Sequence, residues 1–173
     1  APSGSYAETY AKEKDIKFIT SDKRESDQKD AINVNTKGRS ICTSAAGLRF
    51  GFTWDNINEI EALANEIEYG FIYSQNGADD LSIDTVDGKN IKKASAPNRI
   101  ENNGTTSFNL VISNIPKQYY DRDITARAYV CIDGMYFYSN TLKGSFGEVA
   151  GLVLADDEID QNTKNAVNKL LEA

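Results

Sequence analysis

The sequence contains no histidine, and it is poor in several other residues: two cysteines, three prolines, one tryptophan and one methionine in 173 residues. Without histidine, neither a Ser-His-Asp nor a Cys-His catalytic arrangement can be built, and the commonest transition-metal ligand is missing. An enzyme of this composition would have to use carboxylate, Lys or Tyr chemistry. No run approaches the ~20 consecutive apolar residues that a membrane-spanning helix requires, so no membrane insertion is expected in this segment.

Positive charge is also in short supply. Lys and Arg number 19 against 26 Asp and Glu, which gives a formal net charge of −7. Affinity for nucleic acid is built mainly from Lys and Arg side chains that neutralise phosphates. The composition therefore predicts that the protein has no nucleic-acid partner.

The length suggests one domain with an additional arm. Residues 1 to 38 mix basic and acidic side chains and predict a polar N-terminal arm or linker, interrupted by two edge-strand candidates at residues 16 to 19 and 32 to 34. Residues 39 to 144 predict a β-rich domain, and residues 145 to 173 a helical segment. The first residues are small and polar, as expected after removal of a signal peptide or in an excised fragment, and we expect an extracellular or cell-surface location.

Apolar residues alternate along the first part of the β-rich domain, within residues 40 to 54. Leu48, Phe50, Phe52 and Trp54 fall on one side of a half-buried strand, and Trp54 is predicted to lie in the core. The spacing that follows predicts a helix over about residues 55 to 68. Further strands are predicted at residues 69 to 74, 81 to 86 and 91 to 94, and around the alternating residues 108, 110 and 112.

The strongest local pattern is a hairpin at residues 124 to 139, in which Asp133-Gly134 supplies a two-residue type I′ turn. One face of this hairpin is aliphatic. The opposite face carries Tyr129, Tyr136, Tyr138, Cys131 and Arg127.

The chain ends in two predicted helices. Ser145 and Glu148 have the spacing of a capping box, and a second amphipathic pattern covers about residues 158 to 171. The whole pattern predicts a mainly β fold: an Ig-like or related two-layer β-sandwich with one inserted helix and a helical C-terminal tail.

The order of several short motifs over roughly residues 39 to 155 resembles a known domain. The motifs are Ala46-Gly47-Leu48-Arg49-Phe50, residues 68 to 73, Ile115-Pro116 with Tyr119-Tyr120, residues 126 to 130, Asp133-Gly134, residues 136 to 139, and Ser145 with Glu148-Val149-Ala150. The chain is similar to an uncharacterised accessory domain of large secreted or cell-surface multidomain proteins of Firmicutes, especially clostridia. This resemblance implies an extracellular β-rich domain and transfers no catalytic residue.

Two groups of tyrosines are candidate ligand-binding residues. Tyr129, Tyr136 and Tyr138 would make a sugar-stacking platform if their face were open, because aromatic rings bury the CH faces of sugars. The alternative is that this face packs under a helix or a second sheet. Tyr119 and Tyr120, in a polar loop, are expected to be more exposed, although the pair would also serve to anchor that loop.

Acidic residues provide only weak metal candidates. The four aspartates in a turn-rich stretch, Asp79, Asp80, Asp84 and Asp87, form an oxygen-rich segment of the kind that binds Ca²⁺, but their spacing matches no defined calcium loop. Asp156, Glu158 and Asp160 imitate the start of an EF-hand loop that then fails, and are better explained as caps of the last helix. We expect no metal and no cofactor.

The two cysteines, Cys42 and Cys131, are a candidate disulfide. Cys131 shares its strand face with the tyrosines, so a bridge would bring the tyrosine face against the first strand. The bridge and an open platform are therefore competing hypotheses.

These observations favour a non-catalytic extracellular domain of a bacterial surface protein, adhesive or carbohydrate-binding, whose partner is a glycan or another cell-surface ligand. An alternative is a self-assembling structural subunit of a surface layer or filament, in which the N-terminal arm pairs between copies. A carboxylate-dependent glycan hydrolase is a third hypothesis, and it requires two acids in one cleft.

Overall fold

A computed structural model describes residues 9–10, 34–55, 57–62, 64–96, 99–102 and 105–172. The strands, in chain order, are β1 (Val34–Cys42), β2 (Gly47–Trp54), β3 (Ile67–Ser74), β4 (Ile91–Ser95), β5 (Arg99–Asn102), β6 (Thr105–Ile112), β7 (Ile124–Ile132), β8 (Met135–Tyr138) and β9 (Leu142–Gly144). The helices are α1 (Ile57–Glu61), α2 (Phe146–Ala155) and α3 (Gln161–Glu172).

The strands form two antiparallel sheets. The first has the order β1-β2-β6-β5, and the second the order β4-β3-β7-β8, with β9 also paired to β7. The two sheets pack on each other through one apolar face each. The predicted mainly β, sandwich-like fold with a helical C-terminal tail is therefore confirmed.

The core lies between the sheets and continues under the C-terminal helices. Trp54 is 1% exposed and packs edge-on against Tyr69 at the facing sheet, with ring centroids 5.2 Å apart. Phe52 and Phe71 meet across the same interface at 5.7 Å. Residues of α2 and α3 join this cluster, including Phe146, Val149 and Val167. The alternating pattern of β2 was thus interpreted correctly, and Trp54 is a core residue.

The predicted hairpin forms in the predicted register. Asp133 and Gly134 have φ values of +48° and +86°, which a type I′ turn requires. The cross-strand pairs of β7 and β8 are Ile132 with Met135, Cys131 with Tyr136, Val130 with Phe137, and Tyr129 with Tyr138.

Two predicted elements differ from the structure: the inserted helix is present but shorter, and one strand is absent. The inserted helix, predicted over residues 55 to 68, ends at Glu61, because Ile67 and Glu68 pair with Ile132 and Cys131 as the first residues of β3. Residues 81 to 86 form no strand: they belong to the connection between β3 and β4, which contains a short 3₁₀ turn, Ile83–Thr85.

The ends of the described chain refine the predicted boundaries. β1 begins at Val34, so residues 34 to 38, which were assigned to the arm, belong to the first sheet. The candidate strand at residues 16 to 19 lies outside the described residues. Ser145 caps α2 by accepting a hydrogen bond from the Glu148 amide, and Asp160 accepts one from the Thr163 amide at the start of α3. None of the described helices is both long and apolar enough to cross a membrane.

Candidate functional site

The tyrosine face of the hairpin lies on the outer surface of the second sheet. Tyr129 is only 1% exposed, and its ring lies across Gly70 of the neighbouring strand. Its hydroxyl donates a hydrogen bond of 2.7 Å to Glu68. Burial and this hydrogen bond to a carboxylate both raise the pKa of Tyr129, whereas the hydrogen bonds from Tyr129 and Lys93 lower the pKa of Glu68.

The connection between β3 and β4 covers this face. Leu81, Ile83 and Val86 form a second small apolar cluster with Tyr129 and Ile72. A platform open to sugars, as predicted for Tyr129, Tyr136 and Tyr138, is therefore wrong for the first of these residues. The face is packed instead, although its cover is an irregular connection and not the helix or sheet that the alternative envisaged.

The other two tyrosines stack on each other at 6.2 Å with an interplanar angle of 16°. Tyr138 accepts a hydrogen bond from the Ile83 amide and carries the Arg127 guanidinium 4.5 Å from its ring centre. Tyr136 is half-buried, with the Lys93 ammonium 5.9 Å from its ring centre. Tyr138 thus holds the covering connection to the sheet, whereas the described ring contacts of Tyr136 are with Tyr129, Tyr138 and Lys93.

The predicted disulfide is also wrong, because both cysteines are free. Cys42 lies at the end of β1 in the first sheet, with its Sγ 3.4 Å from Ser44 Oγ. Cys131 lies on β7 with the tyrosines, on the face of the second sheet that points away from the first. Because the tyrosine face packs under the connection between β3 and β4 and not against the first strand, its position also excludes the bridge.

The four aspartates of the turn-rich stretch do not converge. Asp79 pairs with Lys143 at 3.2 Å, and Asp87 accepts hydrogen bonds from the backbone amides of residues 89, 90 and 91. Within the described part of the chain, no group of three or more His, Cys, Asp or Glu side chains is placed to hold a metal ion. Asp79, Asp80, Asp84 and Asp87 are therefore not a calcium-ligand set in this fold.

A cleft opens at the end of the sandwich where β3 and β6 finish and where β4 and β7 begin. Its volume is about 210 Å³. This is below the range of about 300–1,000 Å³ that is typical of pockets enclosing drug-sized ligands, and it suits a single ring. The lining residues are Gln75, Asn76, Lys89, Asn90, Lys92, Ser113, Asn114, Ile115, Pro116, Tyr119, Arg122 and Ile124.

Tyr119 is the aromatic residue of this cleft. It ends a 3₁₀ turn, Lys117–Tyr119, that starts after Pro116, and its side chain is 37% exposed. The guanidinium of Arg122 lies 4.1 Å from its ring centre and donates a 3.2 Å hydrogen bond to Asn76. One face of the ring therefore carries a fixed cation that also ties the two loops together.

Tyr120 has the opposite role. Its ring packs on Phe146 at 4.3 Å, and its hydroxyl donates a 3.1 Å hydrogen bond to the Leu170 carbonyl. The neighbouring tyrosines are thus divided: Tyr119 faces the cleft, as the exposure hypothesis proposed, and Tyr120 anchors the loop to α2 and α3.

The polar walls of the cleft are held by hydrogen bonds of backbone amides. Asn114 adopts a φ of +55°, and its backbone amide donates a 2.8 Å hydrogen bond to the Ala45 carbonyl in the β1–β2 turn. On the other wall, the amides bound to Asp87 lower the pKa of that carboxyl to about 2. These hydrogen bonds therefore hold both loops in place.

Sequence reasoning identified Tyr119 but missed the rest of the lining, notably Asn76, Lys89, Lys92, Asn114 and Arg122. A usable signal was present. Successive antiparallel strands reverse direction, so the polar residues after β3 and β6 and before β4 and β7 must meet at one end of the sandwich. Finding that end requires the sheet order, which the sequence does not display.

Comparisons with known proteins add little. No family model matches the chain, and no curated protein matches it. Among solved structures, the chain is similar to the carbohydrate binding module of the muscle glycogen-targeting subunit of Protein Phosphatase-1, with a TM-score of 0.42 and 12% identity over 70% of this chain and 78% of that one. A similarity of this size transfers no function.

Proposed function

We propose that this protein is a non-catalytic glycan-binding module and that the cleft beside Tyr119 is its binding site. The observation that carries the proposal is the composition of one preformed cleft: an exposed aromatic ring, four side-chain amides and a serine hydroxyl surround a volume suited to a single ring.

Sugar chemistry matches these groups. An amide side chain donates and accepts hydrogen bonds at once, as adjacent sugar hydroxyls do. An exposed tyrosine ring supplies apolar surface for the CH groups of a sugar while its hydroxyl remains in water. The side-chain carbonyl of Asn76 accepts a hydrogen bond from Arg122, and the side-chain amide of Asn90 donates one to Asp87. Gln75 and Asn114 therefore supply the side-chain amides that remain available to a ligand.

The lining favours binding over hydrolysis. Glycoside hydrolysis normally requires two carboxylates flanking the scissile bond. Among the described residues that line the cleft there is neither an aspartate nor a glutamate. The site we propose therefore has no pair for general acid and base chemistry.

The proposal includes an extracellular location on a Gram-positive bacterial surface, where such a module would serve in adhesion or in holding a larger protein on a polysaccharide. The resemblance of residues 39 to 155 to accessory domains of Firmicutes surface proteins supports this part.

The test is a glycan array followed by calorimetry with the best ligand, using the whole chain and two matched variants. Tyr119→Ala removes the ring in the cleft, and Tyr136→Ala removes a half-buried ring on the sheet face. We expect about a tenfold or greater loss of affinity for the first and little change for the second. An array without a single bound glycan, or unchanged affinity in Tyr119→Ala, would refute the proposal.

A second candidate function, assembly into a surface layer or filament, is favoured by one observation. An apolar groove of about 390 Å³ runs beside the edge strand β1, and Leu152 of α2, on its wall, is 58% exposed. An edge strand next to exposed apolar surface is a site where a strand from another copy can pair.

A further inference from the structure

From the charges of the same cleft, we infer that its ligand is an acidic glycan, one whose sugars carry carboxylate or sulfate groups. This inference rests on the proposed function and specifies the class of sugar. It follows from the three cationic side chains that line the cleft: Lys89, Lys92 and Arg122.

The sign of charge in the cleft is opposite to that of the whole chain. The protein carries a formal net charge of −7, yet the lining has three cations and, among the described residues, no carboxylate. Two acids that are close in sequence to these cations are engaged elsewhere. Asp87 binds the amides of its own turn, and Asp123 lies 3.6 Å from the ammonium of Lys143. Among the described residues, no carboxylate is therefore paired with the cations of the cleft.

Outside the cleft, some cations are paired with carboxylates, and others, including Lys37, Arg49 and Arg127, form no ion pair within the described part of the chain. Arg39, Lys93, Arg99 and Lys143 each form an ion pair with a carboxylate at 2.6 to 3.2 Å. In the part of the chain that the structure describes, Lys89, Lys92 and Arg122 form no ion pair. In an acidic protein, three unpaired cations around one concave surface attract an anionic ligand, which forms the ion pairs that the protein does not supply.

The position of Arg122 favours an anion over a neutral sugar. Its guanidinium covers one face of Tyr119, so that face is not free for sugar stacking. The same contact, together with the hydrogen bond to Asn76, fixes the planar guanidinium near the cleft. A fixed guanidinium is suited to binding a carboxylate or sulfate through two parallel hydrogen bonds.

The experiment compares acidic and neutral forms of the same polymers by calorimetry on the whole chain. The pairs are oligogalacturonate with its methyl ester, and dextran sulfate with dextran. Polyglutamate serves as a polyanion that contains no sugar. We expect at least one acidic sugar to bind about tenfold or more tightly than its neutral form, and its affinity to fall when NaCl rises from about 0.05 M to about 0.5 M.

Variants assign the effect to the cleft. The double substitution Lys89→Gln and Lys92→Gln should remove about tenfold in affinity for the acidic sugar. Lys37→Gln, an exposed position on β1 outside the lining, should leave it unchanged.

The outcomes separate the two proposals. Equal affinity for the acidic and neutral forms overturns the charge inference and leaves glycan binding in place. Polyglutamate binding as tightly as the acidic sugars shows that charge alone is recognised and overturns the acidic-glycan assignment. Absence of binding to these polymers and to every glycan of the array overturns both.

Discussion

At the scale of single residues, Gly70 is a position where the packing of Tyr129 leaves no room for a side chain. A Cβ atom at this position would lie 2.5 Å from the Tyr129 hydroxyl oxygen and 2.5 Å from the Ala94 carbonyl oxygen. The Tyr129 ring fills the space above the glycine and reaches Glu68 on the same strand. The glycine therefore determines where the buried tyrosine lies.

We predict that Gly70→Ala lowers the free energy of unfolding by about 1–3 kcal/mol, because the ring and the backbone of β4 must both shift. Urea denaturation measures the change. Gly151→Ala is the matched control: it adds the same methyl group to α2, where a Cβ meets nothing within 4 Å, and it should stabilise the protein by up to about 1 kcal/mol. Equal stability of the wild type and Gly70→Ala would contradict the prediction.

Tyr119 and Tyr120 show where sequence reasoning stops at this scale. The two residues have the same chemistry and adjacent positions, and both are in a loop. The contacts that distinguish them come from Phe146 and the Leu170 carbonyl, which lie 26 and 50 residues further along the chain. Local sequence therefore predicts an aromatic pair in a polar loop but does not predict which ring faces the cleft.

The second prediction uses this pair. Tyr120→Ala should lower the free energy of unfolding by about 2–4 kcal/mol, because it removes a ring packed on Phe146, and Tyr120→Phe by about 1 kcal/mol through loss of the hydrogen bond to Leu170. Glycan affinity of the folded Tyr120→Phe protein should be unchanged. Tyr119→Ala should show the reverse, with normal stability and weakened binding. Thermal unfolding measures stability, and calorimetry measures glycan affinity, on the same samples. If both substitutions changed only stability, or both changed only affinity, the division of roles between the two rings would be contradicted.

At the scale of elements, the errors of sequence interpretation share one cause. Leu81 and Ile83 are separated by one polar residue, as in a strand, but a connection that lies flat on a sheet also needs apolar residues toward that sheet. Likewise Ile57 and Ile67 fit one helical stripe although they lie in α1 and β3. Apolar spacing reports which residues are buried. Whether those residues form a helix, a strand or a connection depends on the element that packs against them.

The hairpin of β7 and β8 was predictable because its register is fixed locally. Asp133-Gly134 accepts the positive φ values of a two-residue turn, and every cross-strand pair follows from that turn. The capped start of α2 at Ser145 was predictable for the same reason.

The turn at Asp87 provides the third prediction, on pH. Its folded-state pKa of about 2 lies below the ordinary value of 3.8, because three backbone amides donate to the ionised carboxylate. The ionised form is thus favoured by folding, so its stabilising effect is complete above about pH 4 and is lost as the pH falls through about 2. The Lys89 and Asn90 wall of the cleft should remain ordered at pH 3.

Amide proton chemical shifts of residues 89 and 91 measure this directly. Their titration midpoint should lie near pH 2, and the titration should vanish in Asp87→Ala. A midpoint at or above 3.8 would show that the amides do not hold the carboxylate. Asp87→Ala should also weaken glycan binding, because it releases the turn that positions one wall, while Asp87→Asn retains an oxygen acceptor and should weaken it less.

At the scale of the whole molecule, two surfaces compete as the functional one: the polar cleft at the loop end and the apolar groove beside β1. They lie on different parts of the fold and have opposite chemistry, since the cleft contains cations and amides while the groove is lined by residues such as Leu142, Val149 and Leu152. The first surface is the proposed glycan site, and the second is the proposed site for pairing with another copy of the chain. Because β1 begins at Val34, truncation before this residue tests which of the two surfaces is functional.

Deletion of residues 1 to 33 leaves all of β1 in place, whereas deletion of residues 1 to 38 removes the ladder pairs of Val34 with Trp54 and of Thr36 with Phe52. We predict that the shorter deletion folds with near-normal stability and full glycan affinity, and that the longer one loses about 2 kcal/mol or more, because the Trp54 end of β2 loses its neighbour. Thermal unfolding, calorimetry and light scattering on both proteins and on the whole chain measure these effects.

Ordered polymers of the whole chain that disappear in the shorter deletion, and also in Leu152→Glu, would assign the function to the groove. A whole chain and a shorter deletion that stay monomeric while binding glycan equally would assign it to the cleft, because none of the described residues that line the cleft precedes Gln75.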